Sequence, residues 1–272
     1  MPVTQLQFYQ SGSYPYPIAT TGSGTGMTVC IYQTEPALAV LTQTGYEDEI
    51  VYLALNRALP FERGRVAVQS PEERISGLCY DRQSHLLWAC QTDITPDNRS
   101  HLLVALNPET GQRVDTINVP QADGRALAWN GLAFVRSVGS QLELINSNGT
   151  VIATRQLNFG EGCRGISASP WSFVATYGET RPLVVINFFA QVIGECANVP
   201  GTAGGIDAVA FDNLSSPDVL AQVPSDDGSF APIGSEHDPE VPWDPSPWKF
   251  RHRIYVANES DQVIRFGYLF EQ

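Results

Sequence analysis

The chain has 272 residues, 43% hydrophobic and only 17% charged, which supplies enough apolar side chain for a sizeable core. Sixteen basic against 29 acidic residues leave a net charge of −13. Duplex nucleic acid and anionic membranes repel such a surface, and no basic stripe offsets it. Gly (23) and Pro (19) are abundant, the composition of short strands joined by tight turns.

In chain order, Met1-Pro2-Val3-Thr4-Gln5 lacks the basic and apolar regions of a signal peptide. Leu6-Gln7-Phe8-Tyr9 reads as a short strand without neighbours of its own. Beyond it helical periodicity is almost absent, and apolar runs of strand length recur in groups between Gly, Pro, Asn and Asp. A first, looser group has strands at 27–32, 37–41, 49–55 and 65–68. The second begins at Gly77, with strands at 78–81, 85–90, 101–106 and 112–117, the last two joined by Asn107-Pro108-Glu109-Thr110-Gly111. The third begins at Gly124 with strands at 125–129, 131–135, 141–145 and 151–154. The fourth begins at Gly162 with strands at 165–168, 171–175, 182–187 and 191–195. The fifth begins at Gly205 with 206–212, and resumes only at 253–258 and 262–266.

The starts at 77, 124, 162 and 205 lie 47, 38 and 43 residues apart, the length of a four-stranded propeller blade. The expected fold is therefore all-β: one domain over residues 1–272, a single closed β-propeller of five four-stranded blades. The fifth blade lacks an outer strand, and the N-terminal strand is expected to complete it.

The string Gly77-Leu78-Cys79-Tyr80-Asp81, the strand Leu86-Leu87-Trp88-Ala89 and the Asn107-to-Gly111 turn resemble repeats of the NHL, SMP-30 and YncE-like propeller families. The likeness is good over 77–120 and loose over 121–212. For the SMP-30-like lactonases it implies a calcium in the central channel, held by carboxylate and asparagine ligands, the first of them from an early Glu-Gly-Pro segment. The first blade has no such segment, and Glu161-Gly162 lies in the wrong blade. Asp81, Asp207 and Asp212 are loose candidates for ligands, more simply read as turn formers.

No Gly-x-Ser-x-Gly elbow occurs. Of the histidines, His85, His101 and His252 precede strands and His237 lies in a loop. Five dispersed cysteines (Cys30, Cys79, Cys90, Cys163, Cys196) form no metal-binding spacing. They read as buried thiols of a protein kept in the cytoplasm or in a particle assembled there. Trp88, Trp129 and Trp171 fall near the second strands of their blades, where they are expected to wedge blade against blade.

Residues 214–250 interrupt the last blade. They carry seven of the 19 prolines, seven acids and the single lysine, Lys249, for a net of −6. An unstructured insertion this long is uncommon unless functional or disordered. Its acids and aromatics, Asp226, Asp227, Phe230, Glu236, Asp238, Glu240, Trp243, Asp244 and Trp248, are the candidate partner-binding residues, with Phe250 a further aromatic anchor. The segment packs either on its own propeller or on a partner. With no catalytic motif, metal set or cofactor motif, the expectation is a non-enzymatic docking or structural component, as in a virus or phage particle. A glycan-binding propeller and a calcium-dependent hydrolase of lactonase type are the alternatives.

Overall fold

The computed structural model describes residues 3–17, 26–44, 47–55, 61–68, 73–93, 102–120, 124–156, 162–169, 172–177, 181–189, 191–202, 205–212, 214, 222–224, 230–232, 253–258 and 262–271. Every regular element among them is a strand, and no helix there is long and apolar enough to cross a membrane. In chain order the strands are β1 (Thr4–Pro15), β2 (Met27–Tyr32), β3 (Glu35–Thr44), β4 (Glu47–Ala54), β5 (Glu62–Ala67), β6 (Glu73–Asp81), β7 (Leu86–Asp93) and β8 (Leu102–Leu106). There follow β9 (Arg113–Asn118), β10 (Gly124–Trp129), β11 (Phe134–Val138), β12 (Gln141–Ile145), β13 (Val151–Gln156), β14 (Gly165–Ala168) and β15 (Ser172–Tyr177). The last are β16 (Arg181–Asn187), β17 (Val192–Cys196), β18 (Ala208–Phe211), β19 (Gln222–Pro224), β20 (Phe230–Pro232), β21 (Ile254–Asn258) and β22 (Val263–Glu271).

Four antiparallel meanders, β2–β5, β6–β9, β10–β13 and β14–β17, each take four consecutive strands. A fifth set has the order β18-β21-β22-β1, so the two ends of the chain share it, with Leu6 opposite Glu271 and Pro15 opposite Val263. The turns are chemically specified. Asn107, Asn146 and Asn187 each accept, through Oδ1, backbone N–H bonds from residues two to four positions on, and Asn130 does the same for Leu132 and Ala133. These short side chains offer the backbone a turn in place of a longer strand.

Burial falls off radially. β14, β15 and β18 are buried at every position, whereas β9 and β13 are mostly exposed. Apolar clusters then join sheet to sheet. One links β2–β4 with β6–β8, through Tyr52, Leu41, Ile75 and Leu87. The next joins Trp88 and Leu103 to Leu127 and Phe134. Val135 and Ala128 meet Phe173 and Val184, and Val174 and Val185 meet Val209 and Val256. Finally Tyr255 and Ile264 meet Met27 and Leu38. Polar bolts follow the same path. Gln43 Nε2 donates to the Ile75 carbonyl (2.9 Å) and Asp48 accepts its N–H (2.7 Å). Ser76 donates to the Gly124 carbonyl (3.0 Å), and Ser137 to that of Cys163 (3.1 Å). The fold is all-β and propeller-like.

Three details depart from the sequence reading. The strand expected at 131–135 starts at Phe134, because Asn130 turns the chain through 133. The 214–250 insertion contains a two-stranded hairpin, β19 with β20. And β1, besides closing the fifth set, pairs in parallel with β17 (Thr4 opposite Gly194), which fuses the last two sets into one eight-stranded sheet.

Candidate functional site

The insertion was the expected site. Asp226, Asp227, Glu236, Asp238, Glu240, Trp243, Asp244, Trp248 and Phe250 lie outside the described residues, and Phe230 is placed as the first residue of β20. The root of the insertion is tied by hydrogen bonds. Asp212 N–H bonds the Arg253 carbonyl (2.9 Å) across its base, and Asp212 Oδ1 accepts from Leu214 N–H (3.2 Å). Leu214 packs against two apolar clusters on either side of the β2–β5 sheet. The Arg253 guanidinium lies 5.3 Å from the centroid of the Phe266 ring, a cation–π contact that stiffens the return into β21.

The axis is the second place to look, because propeller-like folds commonly place ligands there. Five dipeptides, one from the first strand of each set or its immediate edge, converge on it: Gly26-Met27, Gly77-Leu78, Ala126-Leu127, Gly165-Ile166 and Ala208-Val209. Each is a small residue followed by an aliphatic one. The small residue lets the backbones meet. A Cβ on Gly77 would lie 2.8 Å from the Arg125 carbonyl oxygen, and one on Gly26 would lie 2.7 Å from the carbonyl carbon of Gly77. The aliphatic residues fill what is left, and the cavity between them is about 10 Å³, room for one water at most. This repeat has a different register from the glycines singled out in the sequence. Gly77 is common to both, but Gly124, Gly162 and Gly205 precede the axial positions by two or three residues.

The candidate calcium ligands are not brought together as a site. Asp81 caps its own turn, accepting from Gln83 N–H (2.9 Å) and the Ser84 hydroxyl (2.6 Å). Asp207 pairs with Arg164 at 3.1 Å beside the axial cavity, and Asp212 serves the insertion root. Among the described residues no three His, Cys, Asp or Glu side chains form a metal-binding group. His85 stands in the turn after Asp81 with a φ of +57°, Nδ1 2.9 Å from the Tyr80 hydroxyl. That contact spans a turn and positions no second reactive group.

Buried polarity lies between the sheets. Arg136 meets Glu143 at 2.8 Å, both side chains almost wholly buried. Burial raises the Asp48 carboxyl above its usual range, with the Ile75 N–H, Arg74 and Gln43 opposing the shift. All five cysteines are free and buried, and burial pushes the Cys90 and Cys163 thiols up to about 12. Thiols so placed are poor nucleophiles. Trp88 and Trp129 contact Phe134 at centroid distances of 5.1 and 4.5 Å, so both belong to the core. They are not equivalent, however: Trp88 is in a second strand and Trp129 ends a first strand. Trp171 lies outside the described residues.

The sequence reading missed one surface feature. Large apolar side chains stand exposed beside turns: Leu132 (85%), Phe189 (76%), Phe61 (57%) and Phe188 (44%). Phe188 leans edge-on against Phe173. The signal was present in the Asn187-Phe188-Phe189-Ala190-Gln191 turn, which the strand pattern absorbed as part of one long apolar run.

No protein-family model matches the sequence, and no curated protein matches it. Among solved structures, the Myxococcus xanthus glutaminyl cyclase is similar with a TM-score of 0.59 at 14% identity, over 99% of this chain and 98% of that one. A Bacteroides caccae protein of unknown function is more remote, at a TM-score of 0.45 and 11% identity over 70% of this chain and 73% of that one. The first likeness is one of fold.

Proposed function

We propose that the chain is a closed five-bladed propeller that acts as a non-enzymatic docking component of a larger protein assembly, with the 214–250 insertion as a principal contact. Five four-stranded sets, apolar clusters that join each set to the next, and an N-terminal outer strand on the last set support the ring. The observation that carries the function is the filled axis. Where a propeller enzyme or calcium site needs clustered oxygen ligands around an open channel, this chain puts Met27, Leu78, Leu127, Ile166 and Val209 around about 10 Å³. Function then falls to the surface, where a net charge of −6 is concentrated in one insertion. A particle such as a virion is a natural setting for this kind of piece.

The test is size-exclusion chromatography with light scattering on the protein in extract from its native source. A defined complex heavier than the 29.7 kDa chain is expected. A stable, partner-free monomer under all conditions would contradict the reading. The exposed Phe61, Phe188 and Phe189 favour a second reading, glycan binding at turn-tip aromatics. Against it, the Asn187 carboxamide oxygen beside Phe188 and Phe189 is committed to its own turn, so a sugar would find few acceptors. A glycan array separates the two readings.

A further inference from the structure

The chain contains two Asn-Gly pairs, Asn130-Gly131 and Asn148-Gly149, and both lie in described turns. Such a pair can react with itself. The glycine amide nitrogen reaches the asparagine Cγ by closing a five-membered ring, and glycine has no Cβ to hinder the approach. The two turns offer nearly the same electrophile. Asn130 Oδ1 accepts N–H bonds from Leu132 (2.9 Å) and Ala133 (2.8 Å). Asn148 Oδ1 accepts from the Thr150 N–H (3.2 Å) and the Thr150 hydroxyl (2.9 Å). Two donors on one carbonyl oxygen stabilise the negative charge that gathers there when Cγ is attacked. The turns differ in the nucleophile. Gly149 is buried, its N–H donates to the Asn146 carbonyl (3.0 Å), and a Cβ on it would collide with the Asn118 carbonyl oxygen of the neighbouring sheet. Gly131 is exposed, and apart from its chain neighbours nothing stands within 4 Å of where its Cβ would be. Its N–H bonds no other described residue. The glycines are otherwise alike, with φ of +91° at Gly131 and +87° at Gly149.

We propose that Asn130 is a self-modifying site, where the folded turn converts asparagine to aspartate and isoaspartate, while the fold withholds Asn148 from the same reaction. Gly131 N gives its proton to solvent hydroxide and bonds Asn130 Cγ. The Cγ–Nδ2 bond breaks, and the carboxamide nitrogen takes a proton from water and leaves as ammonia. The product is a cyclic imide. Water then adds to one of its two carbonyls: breaking the Cγ–N bond gives aspartate, and breaking the backbone C–N bond gives isoaspartate. No oxidant, metal or second protein is needed. The open space around Gly131 admits the ring. The Leu132 and Ala133 N–H groups that hold the carboxamide also favour the carboxylate of the aspartate product. Each conversion puts one negative charge beside Leu132, which is 85% exposed. An imide at 148–149 must instead free the Gly149 N–H from Asn146 and lift the glycine off Asn118.

The experiment incubates the full-length protein in mildly alkaline buffer, native and in guanidinium chloride, and follows both pairs by peptide mass mapping after digestion in acid. In the denatured chain the two sites share the Asn-Gly sequence and are expected to convert at similar rates. In the native protein Asn130 is expected to convert at least as fast as it does denatured. Native Asn148 is expected to convert at least about tenfold more slowly than native Asn130, because a bonded and packed amide must first be freed. Isoaspartate is expected at position 130 beside aspartate, since only the imide yields both. Equal native rates at the two sites, or a native Asn130 slower than the denatured one, would overturn the inference. So would aspartate at position 130 without isoaspartate, the mark of direct hydrolysis.

Discussion

Arg136 and Glu143 sit directly opposite one another on β11 and β12, and the Arg136 guanidinium donates to one carboxylate oxygen at 2.8 and 2.9 Å. Arg136 is 1% exposed and Glu143 fully buried, so each charge depends on the other. Breaking such a pair leaves an uncompensated charge in the interior, whereas replacing both partners by apolar groups of similar size is often neutral. Glu143→Ala is accordingly expected to lower stability in urea by about 3–5 kcal/mol, and Arg136→Met/Glu143→Leu to recover most of that loss. A double variant as unstable as the single would show that the pair does more than neutralise itself. The thiols make a second residue-scale case. Unfolded cysteines titrate near 9.0, and burial moves Cys90 and Cys163 to about 12. Between those values the unfolded chain loses protons that the folded chain keeps, so stability must fall as pH rises through about 9 to 12. A thiol reagent at pH 8 should leave the folded protein unmodified and label five cysteines after denaturation. Rapid labelling of the native protein would mean that the thiols are reached without unfolding.

Among the elements, β1 does two jobs. It pairs antiparallel with β22 over most of its length and in parallel with β17 at Thr4 and Gln5, and its Leu6 and Phe8 enter the cluster between the last two sets. Phe8→Ala should cost about 3–5 kcal/mol, and hydrogen exchange should rise in β17 and β22 before it rises in β6–β9. A uniform rise across all sheets would argue against β1 as a local latch. The antiparallel role was legible in the sequence, because a strand without a group and a group without an outer strand suit each other. The parallel contact was not, since nothing in Thr4-Gln5 says which rim edge lies beside it. Most strands were readable from their apolar runs and Asn-rich turns. The start of β11 was misplaced because Leu132 and Ala133 look like strand residues until Asn130 is seen to take their N–H groups. The axial register was missed for a related reason. Glycines are conspicuous, but the repeating requirement is a small residue at a close backbone approach, which Ala126 and Ala208 meet as well as Gly77 does.

At the scale of the whole molecule, the described residues form a small, largely apolar axial cavity and an uneven surface. Apolar clusters join each set of strands to the next, and Leu132, Phe188 and Phe189 stand exposed beside turns. The candidate acids and tryptophans of the insertion were legible as composition, while the exposure of Leu132 and Phe189 needed the strand boundaries, which leave both in turns. The most direct measurement is hydrogen–deuterium exchange on the protein alone and in its native complex. Protection on complex formation should concentrate in 214–250, with the axial dipeptides unchanged. Protection confined to the residues around Arg164 and Asp207 at the axial cavity would contradict the account and point instead to an axial binding site.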